Sequence, residues 1–238
     1  MSAINLSGVS KFYGNQPGLV NANLNLPNGG IVGLLGPNGC GKTTLLRIAS
    51  QDLLPEQGQV KIEGENSEFF QVSAIEHFRG SARDYLDCAL RPLRNIATQF
   101  EDATAELGKG VGNVQAERRY DQLLSLMSGF DIWSLEVRLT EVLARLGLRG
   151  LTGLGGERSL SSLSSGERGR LQLAVTLIMK PKVLILDEPT NHLDEGAISF
   201  LVDTVKNWTG AVLMSSHDRA FIEVYCHGDL RYGRKCME

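Results

Sequence analysis

Hydrophobic and polar positions alternate with a period of two over residues 3–9 and 19–26, most plainly where Leu24 and Leu26 stand between asparagines. That pattern predicts two strands, joined by the turn KFYGNQPG with its two aromatics. An apolar run, Ile31 to Leu35, predicts a further short strand, and TTLLRIAS beyond it the start of a helix. A polar turn, PEQG, then leads to a short strand, QVKIEG. From about residue 80 the period lengthens to three and four. Leu93, Ile96, Ala97, Phe100, Ala103 and Leu107 make one helical stripe; Ala116, Tyr120, Leu123, Leu124 and Met127 make a second. The short glycine-rich link GKGVGN between them predicts an antiparallel hairpin over 93–127. A further helix is expected from Leu135 to Leu146, stopped by Gly147. After Ser159 the α/β pattern returns, with a helix over 166–179, a buried strand over 183–186, a helix over about 195–206 and a strand from Ala211 to Met214. The expectation is one domain over 1–238. A β lobe and α/β core occupy about 1–79 and 159–226, a helical subdomain 80–158, and an irregular tail 227–238.

Composition narrows the class. With 238 residues, 42% hydrophobic and 21% charged, the chain has the balance of a soluble globular protein. No apolar run approaches the roughly 18–20 residues of a membrane span, so direct membrane insertion is not expected. The amino end lacks the layout of a secretory leader. A net charge of −3 argues against whole-surface attraction to nucleic acid. Cys40, Cys88, Cys226 and Cys236 form no C-x-x-C pair, which points to a reducing compartment and a cytoplasmic location.

The candidate chemistry begins at GPNGCGKTT, Gly36 to Thr44. It fits G-x-x-x-x-G-K-[ST] at Gly36, Gly41, Lys42 and Thr43, between a predicted strand and a predicted helix. Glycines let the backbone wrap an anion so that successive N–H groups and the helix start face phosphate oxygens. Lys42 adds a cation at the β- and γ-phosphates, and the Thr43 hydroxyl can ligate Mg²⁺. Further on, the apolar strand of VLILDEPTNHLD delivers Asp187 and Glu188 to the carboxyl end of a sheet, where α/β folds bind ligands. Asp187 is placed to hold Mg²⁺, and Glu188 to orient or deprotonate water.

GPNGCGKTT, LSSGE (163–167), LILDEPTNHLD and SSHD (215–218), in that order, resemble the motifs of the ATP-binding cassette (ABC) ATPases over essentially the whole chain. The resemblance implies a P-loop NTPase fold of ABC type, with an antiparallel β lobe, a parallel RecA-like core and an inserted helical subdomain. It implies ATP and Mg²⁺ as ligands and ATP hydrolysis as activity. It also implies a head-to-tail pairing with a second cassette, a second copy or another half. Each ATP would lie between one phosphate loop, or Walker A motif, and the opposite signature.

Carried over by position, Gly36, Asn38, Gly39, Cys40, Gly41, Lys42, Thr43 and Thr44 surround the phosphates. Tyr13, with Phe12 as competitor, matches the aromatic that stacks on adenine. Gln71 is the best candidate for the glutamine that senses Mg²⁺ and water, beside the metal positions Thr43 and Asp187. Ser164, Gly166 and Glu167 belong to the signature that caps the opposite γ-phosphate. Asp194 matches the loop that communicates across the pair, and His217 the histidine that contacts the γ-phosphate, with Glu188 and Lys42 in catalysis. Two departures stand out. Ser165 replaces the signature's first glycine, which costs about 1 kcal/mol or more if that position needs a positive φ. The chain also ends soon after the histidine motif, before the strand with which the family normally continues, as a truncated or degenerate member would.

Three features resemble the soluble ABC-F branch: the wording DEPTNHLD, an interval between Gln71 and Leu163 longer by about one helical hairpin, and the passage FDIWSLEVRLTEVLARLGL (130–148). That branch implies a ribosomal partner and a role in translation or antibiotic resistance. Against it, the chain has one cassette and no long linker, and acidic and basic residues nearly balance over 76–158. A rival reading, the ATPase subunit of a membrane transporter docked on a permease, fits these features less well. A third is an ATP-dependent binding module with weak or no hydrolysis.

Overall fold

The computed structural model describes residues 2–62, 75, 78–108, 114–151, 153–217 and 230–232. The chain opens with β1 (Ser2–Tyr13), β2 (Gln16–Pro27), β3 (Ile31–Leu35), α1 (Lys42–Ala49) and β4 (Gln57–Ile62). The helices α2 (Ala82–Leu107), α3 (Val114–Gly129), α4 (Leu135–Arg145) and α5 (Ser165–Met179) follow. β5 (Val183–Asp187), α6 (Glu195–Lys206), β6 (Ala211–Ser216) and β7 (Leu230–Tyr232) complete it. Two compact units result, one from 1–70 with 181–238, the other from 71–180.

In the first unit β2, β1 and β4 make an antiparallel sheet in that order, while β5, β6, β3 and β7 make a parallel one. The period-two signal of β2 has a simple cause: Leu24 and Leu26 are buried and Asn23 and Asn25 exposed. In β1 the buried side of the alternation shifts between Leu6 and Val9, where the register with β2 slips. Gly8 sits there with φ 61, and β4 brings Gly58 so close that a Cβ would meet the Gly8 carbonyl at 2.5 Å. The predicted turn KFYGNQPG shrinks to Gly14–Asn15, because the strands pair as far as Tyr13 and Gln16. β3, β5 and β6 carry nearly continuous apolar runs. Val212, Leu213, Met214 and Leu184 are fully buried, as suits parallel strands covered on both faces. The parallel register sets Asp187 directly beside Ser215 and brings Leu35, the residue before the glycine loop, beside Ser216.

The second unit is helical. Ser81 caps α2 reciprocally with Asp84, accepting from its N–H at 3.1 Å. The α2–α3 hairpin packs Leu93, Phe100 and Ala103 against Ala116, Leu123 and Met127, with the Phe100 and Tyr120 rings 5.2 Å apart. Leu124 departs from the expected stripe. Only one of two adjacent leucines can face the partner helix, so Leu123 is buried and Leu124 is exposed. Arg94 ties α2 to Glu136 of α4 at 3.0 Å, and Arg138 donates to the carbonyls of Phe130 at 2.6 Å and Ile178 at 2.8 Å.

Two boundaries differ from the sequence reading. The segment from Ser159 to Lys180, expected to rejoin the α/β core, belongs to the helical unit, since α5 packs on α4 and α2. Within the stretch read as an irregular tail, Leu230–Tyr232 form β7, which pairs in parallel with Gly33–Leu35 of β3. A strand therefore does follow the histidine motif. Its three residues are too short for a periodic pattern to register.

Candidate functional site

β3 ends at Leu35, and the next six residues turn the chain into α1. Gly39 and Gly41 take left-handed φ of 83 and 93, which side chains resist. At Gly41 a Cβ would also strike the Gly18 carbonyl at 2.5 Å, so glycine is required twice over. Gly41 caps α1 without a side-chain hydrogen bond, leaving the first-turn N–H groups free of a side-chain cap. Asn38 and Gly39 are exposed at the loop tip; the Cys40 thiol turns inward, 2.6 Å from where a Cβ on Gly36 would stand. Lys42 reaches back over the loop, its Nζ donating to the carbonyls of Gly36 at 2.7 Å and Pro37 at 3.3 Å.

Acidic groups from β5 meet this loop. Thr43 Oγ1 donates to Asp187 Oδ2 at 2.7 Å. Glu188 Oε1 lies 3.1 Å from Lys42 Nζ, and Glu188 Oε2 is 2.8 Å from His217 Nδ1 and accepts from the His217 N–H at 3.1 Å. Glu188 holds φ 45, an uncommon conformation for a side-chain-bearing residue. Burial alone would raise its pKa; the hydrogen bonds and charge supplied by His217 and Lys42 outweigh that and hold the carboxyl below its ordinary range. Tyr13 stands beside α1, its hydroxyl 3.4 Å from Thr44 Oγ1 and its ring half exposed.

Tyr13, Gly36, Cys40, Lys42, Thr43, Thr44, Asp187, Glu188 and His217 thus gather in the first unit at the carboxyl ends of β3, β5 and β6. Gln71 lies outside the described residues. Ser164, Gly166 and Glu167 stand at the start of α5 in the helical unit. Ser164 and Glu167 form a capping box there. The Ser164 hydroxyl accepts from the Glu167 N–H at 3.2 Å, and Glu167 Oε2 accepts from the Ser164 N–H at 2.8 Å. That backbone bond first, and the Ser164 hydroxyl second, hold the Glu167 carboxyl below its ordinary range. Asp194 caps α6, accepting from the Ala197 N–H at 2.8 Å. The strain expected at Ser165 is absent. It is the exposed first residue of α5 and is not among the residues of positive φ, so its Cβ costs nothing in the backbone.

Two residues beside the site, Ser215 in the SSHD stretch and Gly18 at the end of KFYGNQPG, carry no role in the sequence motifs. Ser215, fully buried in β6, donates to Asp187 Oδ1 at 2.5 Å and accepts from the Glu188 N–H at 3.0 Å. Its contacts depend on strand register, which no local pattern reveals. Gly18, in β2, lies under the Tyr13 ring. A lone glycine inside a strand was the available signal, since it marks close approach.

A donor set of hydroxyl, carboxylate and lysine around an uncapped helix start fits a phosphate with a hard divalent cation, whose preferred ligands are oxygens. The model of the ABC transporter family matches residues 19–191. The tylosin resistance ATP-binding protein TlrC of Streptomyces fradiae is 33% identical over 226 residues, covering 93% of this chain and 41% of that protein. The ATP-binding protein Uup of Escherichia coli K12 is 32% identical, with 93% and 34% covered, and ABC transporter F family member 2 of Arabidopsis thaliana 31%, with 94% and 34%. The chain spans roughly a third to two-fifths of these relatives' length. An ATP-binding subunit of an ABC transporter shares the fold at a TM-score of 0.64, 19% identity and coverage of 94% and 83%. A dimeric bacterial ABC transporter cassette does so at 0.58 and 22%, with 93% and 91% covered. An ABC transporter F family member is thus among the relatives, and the chain is a P-loop cassette of the ABC family.

Proposed function

We propose that this cassette binds ATP with Mg²⁺, hydrolyses it, and does so as a head-to-tail pair with a second cassette. The observation that carries the reading is the convergence of Lys42, Thr43, Asp187, Glu188 and His217 on one glycine loop. Lys42 and the N–H groups at the start of α1 hold the phosphates. Thr43 and Asp187 hold the cation, which when bound neutralises charge on the β- and γ-phosphates. Glu188, ionised at neutral pH, takes the proton of the attacking water, and His217 orients it through their shared hydrogen bond. Tyr13 stacks on the base. Ser164 and Gly166 serve the site of the other cassette, a second copy or another half.

A relative named for tylosin resistance supports a role in antibiotic resistance, and the resemblance to the ABC-F branch carries the ribosomal reading. We place the chain's action on the ribosome, in the cytoplasm, with a contribution to antibiotic resistance. No helix among the described residues is long and apolar enough to cross a membrane.

The test is Glu188→Gln, which keeps the nucleotide site but removes the base. With ATP and Mg²⁺ the variant is expected to accumulate as a dimer by light scattering and to show no turnover. A variant that stays monomeric with ATP would falsify the paired site. Co-sedimentation with ribosomes, set against co-purification with a membrane permease, tests the partner.

A further inference from the structure

Ser215 is a polar side chain with no access to solvent in the middle of this site, and none of the motif readings gives it a task. We propose that Ser215 is a positioning residue for the metal: its hydroxyl sets the rotation of the Asp187 carboxylate and, beside the Ser215 carbonyl, shares in holding the Glu188 N–H. The proposal rests on the nucleotide reading above.

A serine hydroxyl has one proton to give and lone pairs to receive. Here the proton goes to Asp187 Oδ1 at 2.5 Å, and a lone pair takes the Glu188 N–H at 3.0 Å. The other carboxylate oxygen, Oδ2, is engaged by the Thr43 hydroxyl at 2.7 Å. Rotation of a carboxylate about its last bond is ordinarily broad. Held at one oxygen by Ser215 and at the other by Thr43, this one has a single orientation, with Oδ2 turned to the hydroxyl that would share the cation. Outer hydrogen bonds of this kind orient metal ligands and govern affinity.

The same hydroxyl supports the turn after β5. Glu188 at φ 45 is in a conformation that side-chain-bearing residues seldom hold unaided. Its N–H is shared between Ser215 Oγ and the Ser215 carbonyl, the latter at 3.2 Å. The carbonyl bond survives any substitution at 215, so the turn persists without the hydroxyl. What the hydroxyl alone controls is the carboxylate. One buried group therefore couples the proposed metal ligand to the proposed base, because Asp187 and Ser215 are register partners in adjacent strands.

Threonine and valine have nearly the same shape, suit a strand, and differ in the hydroxyl. The experiment titrates a fluorescent ATP analogue onto the parent, Ser215→Thr and Ser215→Val, with Mg²⁺ varied from none to saturating. Ser215→Thr should need the parent's Mg²⁺ concentration for half-saturation. Ser215→Val should need about ten to a hundred times more, while metal-free affinity stays equal in all three. If the larger side chains disturb the sheet, Ser215→Ala, which removes only the oxygen, is titrated against the parent with the same expectation. Equal Mg²⁺ requirements with and without the hydroxyl overturn the proposal. So does loss of metal-free binding in parallel with Mg²⁺-dependent binding, which marks a structural role. A parent that binds no nucleotide overturns the nucleotide reading itself, and this proposal with it.

Discussion

Adding one methyl group at Gly18 should weaken ATP binding through Tyr13 without touching the chemistry. An ideal Cβ on Gly18 would stand 2.6 and 2.7 Å from Cε2 and Cδ2 of Tyr13. Non-bonded carbons settle about 3.5–4.0 Å apart, so the ring must retreat by about 1 Å. It can do so, because Tyr13 is 51% exposed and its ring is the flexible partner. The fold is therefore not at stake. The loss is the ring's placement beside α1 and the approach of its hydroxyl to Thr44 Oγ1, 3.4 Å away. Base–aromatic stacking is worth about 1–3 kcal/mol, and a shifted ring forfeits part of it. At about 1.4 kcal/mol per factor of ten, Gly18→Ala should raise KM for ATP about 5–20-fold with kcat within about twofold. The assay is steady-state hydrolysis over a range of ATP, repeated in a Tyr13→Ala background. There Gly18→Ala should add nothing, since the ring it displaces is gone. An equal rise in KM with and without the Tyr13 ring would refute the reasoning, because the methyl group would then be acting on the glycine loop or on β1.

Ser165→Gly should not raise turnover, because Ser165 already has ordinary helical geometry at the start of α5. A glycine there weakens the helix slightly, and a clear gain in kcat would show that the hydroxyl itself obstructs the site. Glu167 predicts a pH dependence. Its carboxyl is held below the ordinary 4.5 by bonds from Ser164, so the stabilisation is fully present above that value and is lost as pH falls through the lowered one. The stability difference between the parent and Glu167→Gln, followed by chemical denaturation, should therefore shrink from about pH 6 to about pH 3. A difference independent of pH would sink this account of the capping box.

The amino-acid sequence by itself determined the parts whose physics is local. Alternation around Leu24 and Leu26 marked β2, stripes through Phe100 and Leu123 marked the helical hairpin, and the glycines of GPNGCGKTT marked an anion loop between a strand and a helix. Each depends on the residue's own backbone freedom or on neighbours within a few positions. Lys42, Thr43, Asp187 and Glu188 were legible as positions from the glycine loop and the acidic strand end, and His217 from the resemblance to the ABC ATPases; the fold brings the five side chains together. Tertiary structure decided what depends on distant partners. Alignment of β5 with β6 brought a buried hydroxyl, Ser215, to Asp187 across 28 positions of chain. Pairing with β3 made a strand of Leu230–Tyr232. Packing on α4 and α2 drew α5, which is mostly buried from Leu171 to Met179, into the helical unit. Register and packing partners are long-range choices, made by burial and by the need to pair every backbone group, and no local window of sequence contains them.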